Sequence, residues 1–417
     1  MAAPLPRLRA DLDVMPSPVP DQPGLLIRDP FQYSTVTLII PPILARCLGC
    51  FDGEQDEGDL RAALARLTGQ VAVADISKRL VTALRDAGFL DDQRFAEMRG
   101  ARQREFAATS ERAPAHSGSG YPDDGAALTS RLRGYFDAAK PAAKQRGGGG
   151  GSPLLGIAAP HVSPEGGSAS YAAAYRALPP GDGERIFVVL GTSHYGEPDR
   201  FGLTRKPFAT PFGVAPTELA LVNELAAGAR RSVTVEDYCH AVEHSIEFQV
   251  VFLQYLYGPR VRILPVLCGA FAGGPLARRP PEASDTVARF IDKLGDMAAR
   301  EGSKLCFVLG VDFAHVGRRY GDARAARAYE GPLAEVAERD DARLDRVVAG
   351  DAAGFWNLVV ENGDDDLKWC GSSPLYTFLR AVPGARGRRL AYEHWNIDEA
   401  SVVSFGAVSF RQREMAK

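Results

Sequence analysis

The spacing of hydrophobic positions changes character along the chain, and the first part is a run of short elements. LLIRDP (25–30) and the β-branched STVTLII (34–40) concentrate apolar residues in brief stretches, which predicts two strands. PPILARCLGCFDG predicts an apolar helix stopped near Gly53. DEGDLRAALARLTG predicts a second helix, with acidic residues in its first turn and Gly69 at its end. In VADISKRLVTALRDAGFLDD, Ile76, Leu80 and Leu84 recur at i, i+4 and i+8, one face of a third helix closed by Gly88. Two strands and three short helices over residues 24–105 predict a small α+β module of winged-helix type. The proline-rich residues 1–23 read as irregular, and 106–114 (FAATSERAP) as a linker.

From residue 115 to 417 the pattern is larger. AHSGSGYPDDG is polar and turn-rich, ALTSRLRGYFDAA predicts a helix, and KQRGGGGGSP a flexible loop. Strands and helices then alternate. LLGIAAPH, RIFVVLGTSH, VRILPVLCG, KLCFVLGVD and SVVSFGAVSF read as strands. SASYAAAYRAL, PTELALVNELAAGA and EHSIEFQVVFLQYLYG read as helices. Unbroken apolar strands such as IFVVLG and LCFVLG suit a sheet covered on both faces. The expected fold class is α/β, a mixed, mostly parallel sheet flanked by helices, preceded by the small module.

Composition narrows the function classes. The 417 residues are 45% hydrophobic and 24% charged, with net charge −3, so no broad basic face for nucleic acid is expected. No stretch approaches the ~20 apolar residues of a membrane span, and the N-terminus lacks the apolar core of a signal peptide. The six cysteines are scattered, and Cys268 and Cys306 lie in apolar runs, which points to a reducing, cytoplasmic setting. Abundant Ala, Arg and Gly suggest a GC-rich bacterial genome. Cys47-x-x-Cys50 is a lone pair, short of the roughly four ligands of a structural zinc, and reads as packing. The glycines at 147–151 lack the lysine and Ser/Thr of a phosphate loop.

The candidate chemistry lies in the histidines, of which there are seven. His161 ends a strand in APH, His194 ends one in VLGTSH, and His315 follows one in VLGVDFAH. His244 opens the helix of EHSIEFQ. Ligands of open α/β sheets bind beyond the carboxyl ends of the strands, so these side chains should converge on one rim. A single strand-end histidine is ordinarily a satisfied polar residue. Several in equivalent places point to a shared cleft for metal or proton chemistry. Two histidines and a carboxylate such as Asp312 leave open positions on Fe(II). Glu243 and Glu247, spaced i, i+4, either orient a histidine or stabilise the helix start. Thr192 and Ser193 either contact substrate or cap a turn, and Gly166 and Gly167 either admit a ligand or make a plain turn. Cys370, before a helix in WCGSSP, is either a thiolate stabilised there or, more commonly at such a place, a buried, inert thiol. His116 reads as structural, and His240 and His394 show no partner signal.

Taken in order, AHSGSGYP, IAAPHVSPEGGSASYAAAY, FVVLGTSHYG, EHSIEFQVVFLQYL, ILPVLCG, VLGVDFAHVG and CGSSPLYTFLRAV resemble the Memo family. Its bacterial members include protein B of the AmmeMemoRadiSam system, and its fold is similar to the class III extradiol dioxygenases. The resemblance implies a divalent metal, iron above all, with His161, His194 and His244 as metal-site histidines. It also implies His244 as the acid–base histidine, which with the adjacent His315 and Asp312 makes the candidate catalytic group. Read on the animal Memo proteins, the third ligand is a cysteine just before the histidine of the DxxH block. This chain has Ala314 there, which leaves Asp312, His315 or His244 as substitutes, or a site without a redox metal. Residues 24–105 resemble the PqqD-like peptide-recognition modules. Two functions follow: a non-heme iron, dioxygenase-like oxidoreductase acting on a small molecule, or a non-catalytic component that binds a peptide or other substrate beside a radical SAM enzyme.

Overall fold

The computed structural model describes residues 3–139, 152–181, 184–271, 279–331 and 333–413; the glycine run at 147–151 lies outside them. The chain divides into two compact units, 1–109 and 110–417. No helix among the described residues is long and apolar enough to cross a membrane.

The first unit contains β1 (Asp13–Pro16), β2 (Leu25–Arg28) and β3 (Thr37–Ile40), an antiparallel sheet in that order. It also contains α1 (Pro42–Ala45), α2 (Glu57–Thr68), α3 (Ala74–Asp86) and α4 (Gln93–Ala108). Asp56 caps α2 by accepting from the backbone N–H of Gly58 and Asp59, while the Asp59 carboxylate returns a bond to the Asp56 N–H. Gly69 ends the helix in the left-handed region. Ile27, Leu60, Leu64, Leu80, Leu84, Phe89 and Leu90 form the core.

Three expectations are corrected here. Residues 1–23 are not irregular throughout, because Asp13–Pro16 pairs with β2. Its side chains alternate between half-buried and exposed, so it carries no apolar signal. The linker begins later than residue 106, because α4 runs to Ala108. The predicted PPILARCLGC helix is one helical turn followed by a 3-10 turn at Leu48–Cys50, with Cys47 and Cys50 both buried.

The second unit begins with α5 (Gly125–Ala138), β4 (Leu154–Ala159), α6 (Ser168–Tyr175) and β5 (Ile186–Thr192). Next come β6 (Phe201–Leu203), the β7–β8 hairpin (Phe208–Thr210, Gly213–Ala215), α7 (Leu219–Ala229) and β9 (Val233–Val235). They are followed by α8 (Cys239–Val242), α9 (Glu247–Tyr257), β10 (Arg262–Cys268), α10 (Asp285–Glu301) and β11 (Leu305–Gly310). The chain closes with β12 (His315–Gly317), α11 (Leu333–Val348), α12 (Ala352–Val359), α13 (Ser372–Ala381), β13 (Ala385–Asp398) and β14 (Ser401–Gln412).

The sheet runs β14-β4-β11-β5-β10-β6-β9, with β12 and β13 both paired to β14. β4, β11, β5 and β10 are parallel, and the flanking β14 and β6 are antiparallel to their neighbours. Alternate residues of β5 serve opposite faces, which is why IFVVLG has no polar position. Phe187 and Val189 pack with α5, α6 and α9, and Val188 and Leu190 with α7, α10 and α13.

Register then positions the site. Gly310 of β11 lies opposite both Ala159 of β4 and Gly191 of β5, so three parallel strands end at one level. The turn before α9 rests on these ends, because a Cβ at Gly310 would lie 2.2 Å from the Ser245 carbonyl oxygen, and one at Gly191 2.5 Å from Ser245 Oγ. Gly310→Ala should therefore cost about 1–3 kcal/mol through overpacking. Gly134→Ala, at an exposed α5 position with open space around it, should gain about 0.4–1 kcal/mol. Urea denaturation of both variants checks the contrast, and equal midpoints would contradict it.

Candidate functional site

Beyond the aligned strand ends, the chain places His161 two residues past Ala159, His194 three past Gly191, and Asp312 two past Gly310. The turn resting on the two glycines brings His244. The rings of His161, His194 and His244 have centroids 5.0–5.3 Å apart.

Each of these rings is held through Nδ1. His161 Nδ1 is 2.9 Å from the Gly310 carbonyl oxygen, which can only accept, so Nδ1 carries the proton and Nε2 keeps its lone pair. His194 Nδ1 lies 3.0 and 3.1 Å from the two Glu243 oxygens. His244 Nδ1 lies 3.1 Å from Glu243 Oε1. His315 Nδ1 donates to the carbonyls of Phe313 (2.9 Å) and Lys368 (3.0 Å). Such outer partners fix the tautomer and ring direction of metal-binding histidines.

The thiol of the cleft is Cys370. Its Sγ is 3.3 Å from His161 Nε2, and the Asp312 carboxylate reaches the same nitrogen at 3.4 Å. Asp312 also accepts from the His161 backbone N–H, and Thr192 Oγ1 donates to the Cys370 carbonyl. Among the described residues, three triads bring one donor atom each to within 4.8 Å of one another. They are His161–His194–Cys370, His194–Glu243–His244 and Asp312–His315–Cys370.

Burial shapes the charges. Desolvation holds His161 well below its ordinary value, so its ring is neutral. Desolvation also opposes charge on His194, but Glu243 outweighs it and holds His194 well above. Burial would raise Glu243, yet His194 and His244 keep it well below the usual carboxylate range. Burial pushes Asp312 and the Cys370 thiol up. A cation held here would offset these last two costs. Beside the site opens a cavity of about 320 Å³ lined by Thr192, Ser193, His194, Lys368, Cys370 and Ser373, among others.

A family model described as Memo-like protein matches residues 112–409. The chain belongs to the Memo family. It is 25% identical over 317 residues to a MEMO1 family protein of Aquifex aeolicus, covering 75% of this chain and 78% of that one. It is 28% identical over 313 residues to a MEMO1 family protein of Methanopyrus kandleri, covering 72% and 99%. A crystal structure of an uncharacterized protein from Escherichia coli K12 matches at 16% identity and a TM-score of 0.32, over 56% of this chain and 88% of that one, too loosely to bear on the fold. The Memo match contains every residue of the three triads.

Several expectations change within the Memo region. Cys370 is half-buried rather than buried, and its Sγ faces His161 Nε2, while Ala314 is buried in the hydrophobic core. The available signal was the position of Cys370 at the head of the CGSSP block. His244 does not open a helix, because α9 starts at Glu247. Glu243 ends α8 in an extended conformation (φ −75°, ψ 137°), so Glu243 and Glu247 share no helical face. His315 and Asp312 stand together near Cys370, and the Tyr320 ring packs edge-on against His315 at 4.9 Å. His116, read as structural, has its ring 5.5 Å from that of His244. His240 is buried away from the cleft, with Nε2 on the Gly202 carbonyl, and His394 bonds Tyr392 on β13. Gly166 and Gly167 admit packing groups: a Cβ would meet the Trp395 ring at 2.4 Å in one case and Val162 at 2.9 Å in the other.

His315 gives a pH test. Burial depresses it from 6.5 to about 4. Between those values the unfolded chain binds a proton that the folded chain refuses. Its contribution is therefore complete above pH 6.5 and shrinks as pH falls toward 4, by at most about 1.4 kcal/mol per pH unit. In urea denaturation of metal-free protein, His315→Gln should lose less stability across this window than the unaltered chain. Parallel losses would refute the assignment.

Proposed function

We propose that the Memo region is a metal-dependent, dioxygenase-like oxidoreductase that holds a divalent ion, iron, on His161, His194 and Cys370. The observation that carries this reading is the close approach of Cys370 Sγ to His161 Nε2, at 3.3 Å, with His161 Nδ1 tied back to the Gly310 carbonyl. Two imidazoles and a thiolate suit iron, copper or zinc, whereas magnesium and calcium prefer oxygen donors. Bound iron would supply Lewis acidity and a redox couple.

The surrounding residues do the rest. Glu243 orients His194 and His244 together. His244 stands against both ligand rings without being one of the three donors, and acts as the group that takes and returns a proton. Asp312 and His315 flank the thiol and hold charge and proton on that side. The adjoining cavity, at about 320 Å³ with serine and threonine hydroxyls and Lys368, fits a small polar substrate.

A second reading draws on the separate first unit, which has a core of its own. Residues 24–105 would act as a winged-helix, PqqD-like peptide-recognition module, and the Memo region as a substrate-binding component working with a radical SAM enzyme. Elemental analysis of anaerobically purified protein separates the two. About one iron per chain, lost in His161→Ala and in Cys370→Ala, is the expected result. A metal-free protein that binds peptide through residues 24–105 would sink the first reading and support the second.

A further inference from the structure

The cleft is tied to a charged group that touches none of the three proposed ligands, His161, His194 and Cys370. Arg112 is fully buried, and all its bonds go inward. Nε donates to the His240 carbonyl at 2.8 Å, Nη2 to the Glu243 carbonyl at 2.8 Å, and Nη1 to the Ala113 carbonyl at 2.8 Å. Nη1 also pairs with the Glu247 carboxylate, itself fully buried. The other Glu247 oxygen accepts from the His116 backbone N–H at 3.0 Å and from the Tyr121 hydroxyl. His116 Nε2 lies 2.9 Å from the Val242 carbonyl.

These contacts converge on one piece of backbone. Residues 240, 242 and 243 offer their carbonyls at the end of a helix that is only four residues long, where no further turn of helix can satisfy them. Glu243 leaves that helix extended, and its side chain then carries His194 and His244. A rigid fork of donors suits this place, because it fixes two carbonyls in direction as well as distance.

We infer that Arg112 is a positioning residue for the metal centre: by clamping the carbonyls of His240 and Glu243 against the Glu247 pair, it aims the Glu243 carboxylate at His194 Nδ1, and so aims His194 Nε2 at the ion. The inference rests on the proposed metal centre for its last step only. A lysine keeps the charge beside Glu247 but cannot reach both carbonyls, so Arg112→Lys separates positioning from charge compensation.

The test compares Arg112→Lys with the unaltered chain in two measurements, after far-UV circular dichroism establishes that the variant is folded. The first is the proton NMR signal of hydrogen-bonded His194 Nδ1–H in metal-free protein, assigned by its absence in His194→Ala. The second is a titration with Co(II) alone, followed through the thiolate-to-cobalt absorption. The variant should lose or broaden the Nδ1 signal and bind Co(II) about 10–100-fold more weakly. An unchanged Nδ1 signal overturns the inference. If the unaltered chain takes up no Co(II), the metal reading fails, and the Nδ1 signal alone still decides the role of Arg112. If Arg112→Lys does not fold, Tyr121→Phe, which removes one donor from Glu247 and leaves the ion pair, replaces it. The same change at smaller amplitude supports the inference, and no change overturns it.

Discussion

The Glu243 carboxylate is 2% exposed and accepts from the backbone N–H groups of His194, His244 and Ser245 as well as from His194 Nδ1. A buried carboxylate without partners costs several kcal/mol, so this group is tolerable only while those donors surround it. The donors come from two places distant in sequence, the end of β5 and the turn before α9. The carboxylate therefore welds the turn to the sheet, and the cleft exists because neither segment can move off without stranding the charge. Gly191 and Gly310 make the weld sterically feasible, since a side chain at either would meet Ser245.

A second buried carboxylate does the same for the other wall. Asp340 accepts from Trp369 Nε1 at 2.6 Å, Tyr392 Oη at 2.7 Å and Ser404 Oγ at 2.5 Å, and Ser404 Oγ in turn accepts from the Ala314 N–H. Trp369 precedes Cys370, and Ala314 lies between Asp312 and His315. One acid on α11 thus fixes the segments that bring the thiol and the Asp312–His315 pair. Arg112 with Glu247 on one side and Asp340 on the other place the supporting charge behind the cleft, where it cannot compete with a ligand for the donor atoms.

How much of this the sequence revealed follows from what kind of interaction sets each feature. The buried parallel strands were legible because burial on both faces leaves an unbroken apolar run, as in IFVVLG and LCFVLG. β13 was not, because ARGRRLAYEHWNID is half-buried over most of its length and shows neither a run nor a clean alternation. The three-residue strands β6 to β9 are too short for any period to register. His161, His194, His315 and Asp312 could be picked out because strand ends can be read locally, whereas His244 reads as the first residue of a helix and lies in the turn before it. The place of Cys370 beside His161 could not be read, because it depends on Asp340, Trp369 and Thr192 converging from separate elements on one turn. Glu243 and Glu247 look like a helical pair at i, i+4, and only the break in helix between them sends one to the histidines and the other to Arg112.

That break has a chemical consequence. Had α8 continued into α9, Glu243 would be a helical residue with its N–H and C=O spent inside the helix, and its carboxylate could not turn back to accept from its own neighbours. The interruption frees a carbonyl for Arg112 and two N–H groups, at His244 and Ser245, for the Glu243 side chain. The same carboxylate then has acceptor capacity left for the Nδ1 atoms of two histidines whose rings stack at 5.0 Å with planes 9° apart. One of those rings is a proposed ligand and the other the proposed proton carrier. Because both rings rest on one acceptor, the break that places Glu243 sets the direction of both at once.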